Sequence, residues 1–123
     1  MRIEDWENTL NNYIFQHRKR GFKWGEFDCV RFTFGAVEAI TGVNYLANLD
    51  WSNEQEARAL LDEKSLDDRI AEHLESVPPA FAKRGDIGMY EGACGIVIGR
   101  NCLFIGETWR MIPITQLDKA FHV

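Results

Sequence analysis

No apolar run in this sequence approaches the roughly 18 to 20 residues that a helix needs to cross a bilayer. The opening "MRIEDWENTL" is acidic and amphipathic, unlike a signal peptide. Membrane insertion is therefore not expected, and the chain is expected to stay in the cytosol or to leave it inside a larger assembly. Cations are also scarce: 14 Lys and Arg stand against 19 Asp and Glu, a formal net charge of -5. A partner held by its phosphates requires a surplus of Lys and Arg to displace counterions, so nucleic acid is not an expected partner. The one basic cluster, "HRKR" at His17 to Arg20, falls where an N-terminal helix should end, and cations there complement the helix dipole.

Cysteine is too sparse for a disulfide framework. Cys29, Cys94 and Cys102 are an odd number, with no CxxC pair and no histidine at metal-ligand spacing. No metal and no cofactor are expected. Histidine is equally sparse, at His17, His73 and His122. Repeats, linkers and low-complexity segments are missing too, so residues 1–123 read as one domain, long enough for one core and too short for two.

Helices come first. Ile3, Trp6, Leu10, Tyr13 and Ile14 recur at spacings of three and four, predicting a helix to about Arg20 that Gly21 ends. Val30, Phe34, Val37 and Ile40 repeat the spacing, with Asp28 as N-cap and Gly42 as stop. "SNEQ" at Ser52 to Gln55 has the capping-box form ahead of Ala57, Leu60 and Leu61. Leu66, Ile70 and Leu74 suggest a further short helix before Pro78 and Pro79. Beyond these prolines, "DIGMY", "CGIVIG", "CLFIG" and "TWRMIPI" are of strand length, separated by turn signals at Glu91-Gly92 and Gly99-Arg100-Asn101. Helices followed by antiparallel strands make an α+β fold.

The segment "FKWGEFDCVRF", residues 22 to 32, carries the chemistry. Cys29 opens the second helix, where free backbone N–H groups and the positive end of the dipole favour thiolate over thiol. Asp28 beside it opposes this as a negative charge unless its carboxylate is occupied in capping. The bland alternative is a small buried thiol packed among Trp24, Phe27 and Phe32.

The order of "WGEFDC", an apolar helix, "RGDIGMY" and "GIVIG" resembles that of NlpC-type cell-wall peptidases. The resemblance implies a papain-like fold, with N-terminal helices followed by a small antiparallel sheet. It also implies Cys29 as nucleophile, Asp28 as the helix cap beside it, and Gly85-Asp86 as the turn before the first sheet strand. Where that family places its general-base histidine, at the start of the next strand, this sequence has Ala93. The polar residue that would orient the histidine falls near Ile105 or Gly106, which cannot do so.

A thiolate attacks a carbonyl unaided, but the leaving amine must be protonated, which is the histidine's second task. His17, His73 and His122 each have a plainer place, at a helix end, a solvated helix face and the chain end. The expectation is a catalytically degenerate peptidase fold serving as a structural component of a phage tail tip or baseplate. Its partners would be other tail proteins and, secondarily, peptidoglycan. It would be made in the host bacterial cytoplasm and located in the virion tail.

The alternative is an active cysteine endopeptidase cutting peptidoglycan stem peptides with Cys29 as nucleophile. A third reading, a thiol-dependent transferase or ligand-binding module unrelated to phage, requires a pocket that no segment signals. Elsewhere, "RGD" at Arg84 to Asp86 reads as a strand-entry turn with Arg and Asp in solvent. Cys94 and Cys102 read as half-buried strand residues that could face each other across a hairpin. Trp51 and Trp109 read as core anchors rather than ligand platforms.

Overall fold

The computed structural model describes residues 2–123. Four helices, α1 (Trp6–His17), α2 (Cys29–Thr41), α3 (Glu54–Glu63) and α4 (Leu66–Ala71), precede most of a sheet. Its strands are β1 (Ser76–Val77), β2 (Ile87–Tyr90), β3 (Ala93–Val97), β4 (Asn101–Phe104), β5 (Arg110–Pro113) and β6 (Lys119–Phe121). All pairings are antiparallel, in the order β1-β6-β2-β3-β4-β5. The fold is α+β. Among the described residues no helix is long and apolar enough to cross a membrane.

The helix that matters most ends where its sequence signals say. The Asp28 carboxylate accepts from the backbone N–H of Arg31 at 2.9 Å, and Gly42, at φ 81, takes the left-handed conformation that closes α2. Between them Phe32, Phe34, Ala36, Val37 and Ile40 are buried, so α2 is apolar over much of its circumference. It lies between α1 and the sheet. Leu10 and Tyr13 of α1 pack on one side, and Ile87, Met89, Cys94 and Ile96 of the central strands on the other. The Tyr13 hydroxyl donates to the Phe32 carbonyl at 2.9 Å, and burial pushes its pKa up to about 12.

The far face of the sheet has a smaller core of Val97, Cys102, Phe104, Ile112, Leu117 and Ala120. Two short 3-10 turns, Pro79–Phe81 and Ile114–Gln116, lie along it.

Several expectations shift. Ile3 lies ahead of α1 and binds through its backbone N–H to the Ile40 carbonyl at 2.7 Å. The first helix stops at His17, where Arg18 Nη1 donates to the Phe15 carbonyl at 2.7 Å. The N-cap of α3 is Asn53, which accepts from the Glu56 N–H at 2.9 Å. Ser52 is held one residue earlier, its N–H donating to Glu56 Oε1 at 2.7 Å. The sheet has six strands rather than four. β1 is two residues long and β6 three, too short for a period-2 pattern, and both exist because the chain end returns to pair with β2.

The Gly85-Asp86 turn precedes β2 as expected, but Asp86 does not meet solvent. It is 1% exposed. Oδ1 accepts from Arg2 Nη2 at 2.9 Å and from the Val123 N–H at 3.1 Å, and Oδ2 accepts from the Lys83 N–H at 2.9 Å. Arg2 also donates to the carbonyls of Arg84, at 2.7 Å, and Val123, at 3.2 Å. One buried ion pair thus ties both ends of the chain to the entry of β2. Cys94 and Cys102 are also fully buried rather than half-buried, and they lie on opposite faces of the sheet, so they do not pair across the β3–β4 hairpin.

Candidate active site

The loop ahead of α2 doubles back through an antiparallel bridge between Lys23 and Phe27. Gly25 at its tip has φ 82, and a Cβ there would lie 2.7 Å from backbone atoms of Ser52, so no larger residue fits without moving that segment. The close approach places the Trp51 indole over the start of α2. Asp28 Oδ2 accepts from Trp51 Nε1 at 2.6 Å and from the Gly25 N–H at 2.9 Å. With the Arg31 N–H on its other oxygen, the Asp28 side chain holds three donors and is 0% exposed. Arg31 lies with its guanidinium 4.0 Å from the Trp51 ring centre and donates to Asp50 at 2.8 Å. "WGEFD" is therefore a clamp. It caps α2 and fixes Trp51, while the Asp28 charge opposes ionisation of the neighbouring Cys29 thiol.

Cys29 is half-buried in the wall of a pocket of about 350 Å³, within the range of small-ligand sites. Trp24, Trp51, Leu49 and Leu60 line one side, and Ala93 stands with Cys29 on another. This is the pocket that no segment of the sequence signalled, because its walls come from the loop and first turn of α2, the loop before α3, α3 itself, α4 and the β2–β3 hairpin. Glu91 and Gly92 turn that hairpin with φ 50 and 80, the pair of positive values that a tight two-residue turn requires.

The resemblance to NlpC-type peptidases would put the general base at Ala93. The structure puts Ala93 in the same pocket as Cys29, but strand alternation turns its neighbour toward α2. Cys94 is the β3 side chain that packs with the helices, while Ala93 packs with the opposite face. Cys94 Sγ lies 3.6 Å from the Cys29 carbonyl oxygen, which brings the two thiols into one neighbourhood. One turn further on, Thr33 Oγ1 donates to the Cys94 carbonyl at 3.3 Å, pinning β3 to α2 at this residue.

The two thiols are driven apart in acidity. The hydrogen bond from Cys94 lowers the Cys29 pKa against the desolvation that would raise it, with backbone N–H donors adding to the lowering. Cys94 is pushed well above the usual thiol value by its partner and by burial. Burial also raises Cys102, to about 12. Near neutral pH, iodoacetamide is therefore expected to alkylate Cys29 several-fold faster than a free model thiol and to leave Cys94 and Cys102 in the folded chain unmodified. A Cys29 rate equal to the model thiol's at every pH would remove the claim of activation.

No imidazole joins this pair. His17 stacks between Tyr13 and Phe27, with ring centres at 4.5 and 5.5 Å, and burial lowers its pKa. His73 is exposed beside Tyr45. His122 follows β6, as a returning C-terminal strand would have it, but its Nδ1 is 3.3 Å from Asp86 Oδ1. Ile105 is buried in the core beside α2. Trp109 packs on Phe27 and Phe32, and Trp51 is 6% exposed, both as anchors. Among the described residues no group of His, Cys, Asp and Glu is arranged to hold a metal.

A family model described as "Domain of unknown function (DUF6950)" matches residues 1–123, and the chain belongs to that family. No curated protein matches the sequence.

Proposed function

We propose that this DUF6950 member is a structural component of a phage tail tip or baseplate, built on a papain-like peptidase fold of the NlpC type that has lost its catalytic base. The observation that carries this reading is the partner of Cys29: the strand that should supply an imidazole supplies the thiol of Cys94. A buried thiol whose pKa is raised is a poor substitute for an imidazole as general base and acid, and no histidine stands beside Cys29 to protonate the leaving amine. The order of α2, the Gly85-Asp86 turn and β3 supports the papain-like assignment, with the nucleophile's helix packed on β3, the second strand after the turn.

A second reading draws on a specific feature, the activated Cys29 in the wall of a ligand-sized pocket: a cysteine endopeptidase acting on peptidoglycan stem peptides. The two part in a gel cast with peptidoglycan. The purified chain is expected to leave no cleared band, whereas clearing that Cys29→Ala abolishes would replace the structural reading with the enzymatic one. Peptides of the chain are expected in mass spectra of purified particles of the phage that encodes it, and their absence would remove the tail placement.

A further inference from the structure

Two thiols of unequal acidity meet at the seam between α2 and β3. One lies in a pocket wall at the N-terminus of a helix; the other is sealed beneath it at 0% exposure. We propose that Cys29 and Cys94 form a redox dithiol in which Cys29 is oxidised by a hydroperoxide and Cys94 resolves the product as an intramolecular disulfide. This stands apart from the reading above, since it requires neither a tail nor a peptidase ancestry.

The chemistry closes without a further reactant. The Cys29 thiolate attacks the outer oxygen of the hydroperoxide. A sulfur–oxygen bond forms, the O–O bond breaks, and the departing alkoxide takes up a proton and leaves as the alcohol, or as water from hydrogen peroxide. Cys29 is now a sulfenic acid. The Cys94 sulfur attacks the Cys29 sulfur, the sulfur–oxygen bond breaks, and the hydroxide leaves as water with the proton that Cys94 gives up. Two thiols have lost two electrons and two protons, and one hydroperoxide has become alcohol and water.

The geometry assigns the order of events. Of the three cysteines only Cys29 lines the pocket, so the oxidant reaches it first, and Cys94, with its Sγ 3.6 Å from the Cys29 carbonyl oxygen, is the neighbouring thiol. The Thr33 hydroxyl holds the Cys94 backbone, keeping β3 at this distance from α2. Cys102 is on the other face of the sheet, packed near Gly88 and Leu117, and cannot compete as the resolving thiol. The apolar pocket favours hydrophobic organic hydroperoxides over hydrogen peroxide.

The full chain, reduced and then treated with a small excess of cumene hydroperoxide, is expected to give one cross-linked Cys29–Cys94 peptide in a non-reducing digest. The protein should be two hydrogen masses lighter and restored by dithiothreitol. Cys102→Ala should give the same product. Cys94→Ser should give none, and Cys29 should instead become labelled by dimedone as the trapped sulfenic acid. The wild-type chain provides the test should that variant not fold. Retained far-ultraviolet circular dichroism with Cys29 unoxidised, or oxidised to sulfenic or sulfinic acid without the cross-link, overturns the proposal.

Discussion

Asp28→Ala is expected to cost about 3–5 kcal/mol of stability, a large part of what a domain of this size has in total. The carboxylate accepts from Trp51 Nε1, Gly25 N–H and Arg31 N–H. The lost cap of α2 accounts for about 1 kcal/mol. The larger share comes from the Trp51 indole N–H, left buried with nothing to bond at roughly 1–3 kcal/mol, and from the part-buried Gly25 N–H, at about 1 kcal/mol. In thermal melts the drop should be roughly 10 °C or more.

Asp28→Asn separates the contributions. Asparagine caps helices as well as aspartate does, but its NH2 group must face one of the donors, so it should recover only part of the loss. Full recovery would mean that the clamp on Trp51 contributes nothing. The clamp also shapes the pocket. Asp28→Asn also removes the negative charge that raises the Cys29 pKa, so Cys29 alkylation in the folded variant should quicken near neutral pH.

Asp86→Ala should be as damaging, for a related reason. Its removal strands the Arg2 guanidinium, only 15% exposed at the side chain, and orphans the backbone N–H groups of Lys83 and Val123. Breaking one partner of a buried ion pair costs about 3–5 kcal/mol. The double change Arg2→Met with Asp86→Ala decides what kind of interaction this is. If the ion pair alone mattered, removing both charges would restore much of the stability. Because Asp86 also holds two backbone donors, denaturant unfolding of the double variant is expected to recover little over Asp86→Ala. Recovery to within about 1 kcal/mol of wild type would show that the backbone bonds are dispensable.

Both carboxylates sit in the segments that read most clearly from the sequence, yet one was only partly legible. Asp28 was identifiable as a cap because an N-cap aspartate acts on the next turn of its own helix, three residues away. Its bond to Trp51 spans 23 residues and depends on a loop brought close by the absence of a side chain at Gly25. Asp86 read as a solvent-facing turn residue because nothing local indicates that Arg2, 84 residues earlier, folds back over it. Local hydrogen bonds can be inferred from spacing, and long-range ones cannot.

Ala93 and Cys94 make the same point for chemistry. Family resemblance aligned the start of β3 with a base position and found an alanine there. Which of two adjacent residues faces the nucleophile is a question of register, and a shift of one residue exchanges the two faces of a strand. Register here is set by pairing with β2, where Met89 lies opposite Cys94, and by the Thr33 bond to β3. The pocket depended on the same kind of information, since its walls come from five separated segments.

By itself, then, the sequence determined the α+β order, α2 from its cap to its glycine stop, the Glu91-Gly92 turn, and a cysteine placed where a helix favours thiolate. Each of these follows from interactions within a few residues. The tertiary structure alone decided that Asp28 holds a tryptophan, that Asp86 is buried under Arg2, that two- and three-residue strands complete the sheet, and that Cys29 faces a second thiol. Each of those rests on groups far apart in the chain, whose meeting is set by sheet order and register rather than by local propensity.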